Sequence, residues 1–376
     1  MDAPSRGCAS GSFHTIVVGA GPAGSSAALC LCRAGLGPVL LLDRARFPRV
    51  KPCGSALSPG ACRQLGRMGL LGAVAAQAYP IRGALVRAPS GRELLLQGPE
   101  EALVLARERF DELLVRQAQA AGAVLLDGQA VSAVRELEDG RLEVVGAGAG
   151  RWRSSWVVVA TGATGKLGAA PLPASSLVGV TAWYRGVPFR PHVLELFYDR
   201  ELLPHYGWLF PEAADRVNVG LCVAARGLGA RSPQELLGRF LDRHLSERLR
   251  GAERLGPPRG RAIAAAGLPP APRRSDGVLF VGEAARLANP ATGEGISFAL
   301  ASGELAARAI GLARERGWAP PEAARWLGRA LVLRMGLRLE LARHALPMIP
   351  AGLEAAARLG GRPAVRAVLA RVFARL

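Results

Sequence analysis

Residues 14–24 read HTIVVGAGPAG, and the fold turns on them. The first five form a β-rich apolar run, and the next six form a glycine turn. SSAALCLCRAGLG (25–37) follows, helical in composition and stopped by Gly35 and Gly37. A second apolar run, PVLLLD (38–43), closes on Asp43. The order is strand, turn, helix, strand. In such a βαβ unit each glycine has its own reason. Gly19 permits the tight turn, Gly21 lets the backbone approach a pyrophosphate, and Gly24 lets the helix pack close to the strand. The helix start offers N–H groups and the positive end of its dipole to phosphates. Asp43 stands about 20 residues further on, where a ribose-binding carboxylate belongs. A glycine-rich turn with a solvated aspartate would explain each piece singly. The combination predicts dinucleotide binding.

The remaining chain supplies a second layer. With 376 residues, the protein exceeds one ordinary compact core, so two domains or a discontinuous pair are expected. Residues 81–96 read as two short strands around APSGR, a hairpin. RERFDELLVRQAQAAGAVLL (107–126) reads as a helix running into a strand, with Phe110, Leu113, Leu114, Ala118 and Ala121 on the helical period. SSWVVVATG (154–162) is a buried strand ending in a glycine turn. Residues 177–224 alternate strand-like runs with turns, which suits an antiparallel sheet. SPQELLGRFLDRHL (232–245) carries a serine cap and a helical period. Residues 320–345 are expected to be helical on length and propensity, although LVLRMGLRLEL also alternates at period two. The chain closes on a basic amphipathic segment, PAVRAVLARVFARL (363–376), read either as core packing or as contact with a membrane surface.

Charge and cysteines narrow the class. The formal charge is +18 and almost wholly arginine. The arginines are spread without a dense run and accompany no nucleic-acid motif, so no nucleic-acid partner is expected. A coding bias toward arginine and peripheral attraction to anionic lipid are the two explanations for the excess. The six cysteines, at 8, 30, 32, 53, 62 and 222, form no CxxC and no zinc spacing. A reducing cytoplasm fits them. No uninterrupted apolar stretch reaches about 18 residues, so no bilayer span is expected. The five histidines share no metal-site spacing and are read as ordinary surface or core residues.

A second glycine turn, far along the chain, then needs explaining. GVLFVGEAARLANPATGEGIS (277–297) runs from a strand through Gly282-Glu283 into a turn with Pro290, Gly293 and Gly295, which opens another helix. A nicotinamide dehydrogenase needs only the first turn, whereas an extended FAD needs both. With VVGAGPAGSSAA, LLLDRARFPRVKPCGSALSP, RERFDELL, YGWLFP and VNVGL, this pairing resembles FAD proteins of the p-hydroxybenzoate-hydroxylase-like fold, and among them the geranylgeranyl reductase family. The matching stretches span most of residues 14–310.

The resemblance implies an α/β fold with a Rossmann-like FAD-binding domain, an inserted antiparallel-sheet substrate domain and C-terminal helices. The expected boundaries are 10–80, 100–166 and 260–315 for the discontinuous FAD domain, 81–99 and 167–259 for the substrate domain, and 316–376 for a helical tail. It implies that Gly19, Gly21, Ala23 and Gly24 hold the pyrophosphate, and that Asp43, with Arg44 beside it, binds the adenosine ribose. Arg107 would contact the phosphates or ribityl chain, Val131 would be a further cofactor contact, and Gly282 and Glu283 would meet the ribityl chain. Gly293 and Gly295 would bring a helix start to the flavin N1–C2=O edge, where it stabilises the anionic reduced flavin.

Two departures stand out. The family has Gly-Asp where this chain has Gly282-Glu283, and hydroxylases of the fold have an aspartate where VVVATGATGK has Thr161. The second weakens a hydroxylase reading and leaves the electron donor open between NAD(P)H and a protein. The resemblance lays PRVKPCGSALSP over the flavin, with Cys53 toward the isoalloxazine side, and makes Tyr206, Trp208 and Phe210 walls of the substrate cavity. Cys53 is then either a proton donor or a small residue in a Pro-Gly turn, and Tyr206 and Trp208 complete the candidate catalytic set. The implied activity is FAD-dependent reduction of carbon–carbon double bonds in an apolar, isoprenoid-like small molecule. The alternatives are an FAD monooxygenase or halogenase of secondary metabolism, and a membrane-surface flavoprotein without turnover. The expected setting is cytoplasmic, with peripheral membrane contact as an option.

Overall fold

A computed structural model describes residues 10–165, 167, 172–229, 231–266 and 277–359, leaving aside the side chains of 98–100. Two sheets organise it. The first has seven strands. Val124–Leu126, Val39–Leu42, Ser10–Val18 and Arg151–Val159 lie side by side in parallel, and Val278–Phe280 adds to the last of these. The antiparallel strands Leu142–Gly146 and Val131–Glu136 complete the far edge. Ile16–Val18, Val39–Leu42 and Val157–Val159 are continuous apolar runs because helices or strands cover both of their faces.

Helix Pro22–Arg33 lies against the long helix Ile296–Arg316. Small residues allow the approach: a Cβ on Gly303 would stand 2.2 Å from the Ala23 carbonyl oxygen. Ser26 Oγ closes the contact by donating to the Leu300 carbonyl at 2.7 Å. Ile296–Arg316 is long and apolar enough to cross a bilayer, but most of it is buried inside the fold. It is the core helix on which the nucleotide-binding layers stack.

The second sheet has nine strands, and the predicted hairpin around APSGR is two of them, Tyr79–Arg87 and Glu93–Val104. Leu177–Arg185, Val193–Phe197, Gly207–Pro211 and Arg216–Ala224 supply the central strands. Among the described residues, pairing in this sheet is antiparallel at every join but one. Val193–Phe197 runs parallel to Tyr79–Arg87 over five residue pairs, and this seam unites the two chain segments of the layer. Ala56–Leu57, the stretch up to Val104, and Arg259–Ile263 also belong to this sheet, so its strands reach past the expected limits of 81, 99 and 259.

The helix after Ser232 forms over Pro233–His244 with a reciprocal cap. Ser232 Oγ accepts from Glu235 N at 3.1 Å, and the Glu235 carboxylate accepts from Ser232 N at 2.7 Å. Such a cap contributes about 1 kcal/mol.

The expected helix over 320–345 is continuous through Pro320–Leu331, a π-turn at Val332–Gly336, and Leu337–Ala345. Helix Ile349–Leu359 then lays Ile349, Leu353 and Ala356 on the apolar face of the second sheet. The basic segment 363–376 lies outside the described residues.

Candidate active site

A cavity of about 310 Å³ runs between the two sheets. Both glycine turns reach it, through Gly21 and Ala23 at one and Gly282, Glu283, Gly293 and Gly295 at the other. The KPCG loop forms a wall with Lys51, Cys53 and Gly54, and the YGWLFP strand forms the opposite end with Tyr206, Trp208 and Phe210. Residues nearly three hundred positions apart in sequence thus meet in one space.

Strand Ser10–Val18 ends at the first turn. Gly19 has φ +102°, a conformation that side-chain-bearing residues rarely adopt. Gly24 is needed for contact, since a Cβ there would lie 1.8 Å from the Gly19 carbonyl oxygen. Gly21 caps helix Pro22–Arg33 without a side-chain partner, so the turn presents bare backbone to the cavity. Asp43 stands behind it, accepting from Ala20 N at 2.8 Å and from Ala45 N at 2.9 Å. Its carboxylate therefore braces the turn. Arg44 is exposed, and neither it nor Val131 belongs to the cavity wall. Val131 sits half-buried in the first sheet, packed with the cluster around Ile16 and Trp152.

Behind the wall lies a chain of charges. Arg107 holds Asp111 through Nε and Nη2, both at 2.7 Å, on successive turns of helix Arg107–Ala120. Arg49 reaches the same carboxylate at 3.0 Å and Asp43 at 3.5 Å. Despite its burial, Asp111 is held below the usual carboxylate range by Arg107 and then Arg49. Arg107 also engages Cys53. Lys51 is pushed down to about 7, first by burial and then by the nearby Arg107 and Arg261. A pocket that crowds Lys51, Arg107 and Arg261 around bare glycine backbone suits a negatively charged ligand. The glycine contacts and this donor set fit the pyrophosphate and ribityl chain of FAD.

At the second turn, Gly282 N donates to Ser302 Oγ at 2.9 Å, which ties it to the core helix. Glu283 pairs with Arg261 at 3.3 Å. That contact gives the departure from Gly-Asp a physical reason, because the longer side chain reaches a strand of the second sheet. Asn289 Oδ1 accepts from Ala291 N and Thr292 N, shaping the loop. Glu294 accepts from Ser297 N at 2.8 Å and Oγ at 2.9 Å, and burial raises its carboxyl above the usual range. The helix start expected at the flavin edge is thus partly capped by the chain's own carboxyl.

The other end is hydrocarbon. The Trp208 and Phe210 rings stack at 5.9 Å, and Tyr206 packs between Tyr198 at 5.5 Å and Trp208 at 6.3 Å. Tyr206 donates its O–H to the Thr292 carbonyl at 2.6 Å, and burial raises its pKa well above the ordinary value. Cys222 lies beside it, its thiol pushed up to about 12 by burial. Polar atoms are turned away from the cavity or held protonated.

Asn218 joins the parts. It is fully buried; its Nδ2 donates to the Cys53 carbonyl at 2.8 Å, while its Oδ1 accepts from Trp208 Nε1 at 2.8 Å and Thr181 Oγ1 at 2.6 Å. Gly54 lies flat against the aromatic wall, where an added Cβ would meet the Phe210 ring at 3.1 Å. VNVGL was noticed in sequence only as part of a pattern. The role of its asparagine depends on a partner 165 positions away. Asp111, Arg49 and Arg261 were missed likewise, although the F-D of RERFD could have pointed to Asp111 as the i+4 partner of Arg107. His192 and His244 lie apart from the cavity wall: His192 stacks on Tyr79, and His244 bonds Asp199 at 2.7 Å.

Comparison with known proteins agrees with this geometry. The FAD binding domain family matches residues 12–180. A digeranylgeranylglycerophospholipid reductase of Methanopyrus kandleri is 33% identical over 326 residues, covering 79% of this chain and 78% of the relative. A menaquinone reductase of Mycobacterium tuberculosis is 33% identical over 320 residues, covering 80% and 76%. Among solved structures, a geranylgeranyl bacteriochlorophyll reductase-like protein from Thermoplasma acidophilum superposes with a TM-score of 0.83 at 23% identity, covering 97% of this chain and 96% of that one. A flavin-dependent brominase shares the fold at a TM-score of 0.78 and 21% identity, covering 96% and 93%.

Proposed function

This chain belongs to the geranylgeranyl reductase family of FAD-dependent oxidoreductases, and from that premise we propose that it reduces carbon–carbon double bonds of an isoprenoid-like substrate. One observation carries the reading: a single cavity joins a cationic glycine cradle to an aromatic wall across Cys53. Bound FAD, once reduced, supplies the hydride for one alkene carbon. The chain's own residues do the rest. Gly21, Ala23, Gly282, Arg107 and Lys51 bind the charged part of the cofactor, with Glu283 locking the second turn to Arg261. Gly293 and Gly295, in the same lining, would hold the ring system. Tyr198, Tyr206, Trp208 and Phe210 exclude water and orient the alkene.

The other alkene carbon needs a proton. Tyr206 is poorly suited, because its O–H is already committed to Thr292 and strongly retained. Cys53 Sγ, in the wall beside Arg107, is the proton donor, and it recovers its proton from solvent. Asn218 positions it through the backbone. NAD(P)H or a protein donor would supply the reducing equivalents in a transient encounter. The protein works on the cytoplasmic side, in peripheral contact with the membrane that holds such substrates.

The test is anaerobic. Photoreduced protein mixed with prenyl alkenes should reoxidise and yield the saturated product. Substrate-dependent oxygen uptake with a hydroxylated or halogenated product would overturn the reading. Cys53→Ala should keep the yellow absorbance and lose about 100-fold or more in turnover.

A further inference from the structure

The helical run after the core ends in an unusual face. Leu333, Leu337, Leu341 and Met348 are 84%, 69%, 60% and 69% exposed. Leu333, Leu337 and Leu341, spaced by four, fall on one side of the helix, and Met348 extends the exposed apolar surface from the 3-10 turn that follows, Leu346–Met348. The opposite side is ordinary core: Met335, Leu339 and Ala342 are buried. Large aliphatic residues grouped on one exposed face mark a contact surface, unlike scattered single ones.

Two further observations say what the surface meets. The first is charge. Between residues 320 and 348 there are five arginines, 325, 329, 334, 338 and 343, against two glutamates, 322 and 340, and all five arginines are exposed. A second copy would bring this positive face against itself. The chain's last residues, 360–376, carry four more arginines and no acid, so they are equally mismatched. Anionic lipid is complementary in both respects, hydrocarbon for the leucines and phosphate for the arginines.

The second is continuity with the cavity. Met348 leads directly into helix Ile349–Leu359, whose Ile349, Leu353 and Ala356 lie on the cluster of Leu194, Leu196, Tyr198, Tyr206, Trp208 and Phe210. That cluster is the apolar wall of the cavity. The exposed face therefore adjoins a helix packed on the apolar wall of the site. Arg338 continues inward over the Phe298 ring at 5.6 Å.

We infer that the Leu333–Leu337–Leu341–Met348 face docks on an anionic bilayer and sets helix Ile349–Leu359, which packs on the apolar wall of the cavity, at the lipid surface from which an isoprenoid chain is drawn. Membrane delivery rests on the alkene-reductase reading, but docking itself is measured without turnover.

The experiment is sedimentation of the full-length flavoprotein with phosphatidylcholine vesicles, with and without phosphatidylglycerol. Wild type should pellet with the phosphatidylglycerol vesicles and release in about 1 M salt, where the screening length falls to about 3 Å. Leu333→Ser/Leu337→Ser/Leu341→Ser should bind at least tenfold more weakly, with unchanged flavin content and unchanged turnover of a detergent-dispersed alkene. Leu333→Ser alone, at the most exposed position, provides the same comparison if the triple variant misfolds. Equal binding by wild type and variants overturns the proposal. So does a dimer that the leucine variants disperse, or vesicle binding that appears only after removal of residues 360–376. Failure of every alkene in the turnover arm, with vesicle binding intact, would count against the reductase reading alone.

Discussion

The two ends of the cavity are made of opposite materials. At the nucleotide end, recognition comes from backbone and paired charge: the bare turn at Gly21, Asp43 bracing it, and the Arg107–Asp111–Arg49 chain behind. At the other end the aromatic rings face the cavity, and their polar atoms are occupied elsewhere, Tyr206 by Thr292 and Trp208 by Asn218. The first arrangement fixes one ligand by geometry. The second offers an apolar, aromatic surface with few free polar atoms.

This contrast can be broken one end at a time. The largest effect should come from Asp111→Asn, which leaves the buried Arg107 and the part-buried Arg49 without their shared anion. Loss of one partner of such a buried pair costs about 3–5 kcal/mol. Urea unfolding should show that loss, and the purified variant should be colourless. Trp208→Ala should do the reverse: the yellow absorbance stays, and KM for an apolar alkene rises roughly ten- to hundredfold, matching about 1.5–3 kcal/mol of lost apolar contact.

Lys51 sharpens the contrast through pH. Its folded value, about 7, lies below the ordinary lysine value of 10.5. Between these values the unfolded chain binds the extra proton, so flavin-free protein should gain stability as pH rises from about 7 toward 10. Below 7 both states are charged, and the full penalty remains. Thermal melts of flavin-free wild type and Lys51→Met across that window should show the slope in the first and not in the second. The smallest effect belongs to Glu283→Asp, which withdraws the carboxylate from the part-exposed Arg261. The expected loss is about 0.5–1 kcal/mol, read from the melting temperature with flavin still bound.

Legibility in the sequence followed the same division. The glycine turn, Asp43 and the apolar strands were readable because their reasons are local: spacing, period and backbone freedom. The second turn and the KPCG and YGWLFP walls became readable only together, through family resemblance. What stayed hidden was pairing over distance. Nothing local in VNVGL announces that Asn218 will hold the Cys53 carbonyl, or that Arg261 will take Glu283. The packing of the last described helix was hidden for another reason. Helix Ile349–Leu359 looks like any amphipathic tail until the sheet face beneath it exists.

The one parallel join of the second sheet governs how the molecule is made. Tyr79–Arg87 waits for Val193–Phe197, and most of the first sheet is synthesised between them. A ribosome that has not yet released residue 197 holds half a substrate layer with an open edge. The pocket is accordingly among the last features to close during biosynthesis, and a nascent chain stalled before that point should remain protease-sensitive.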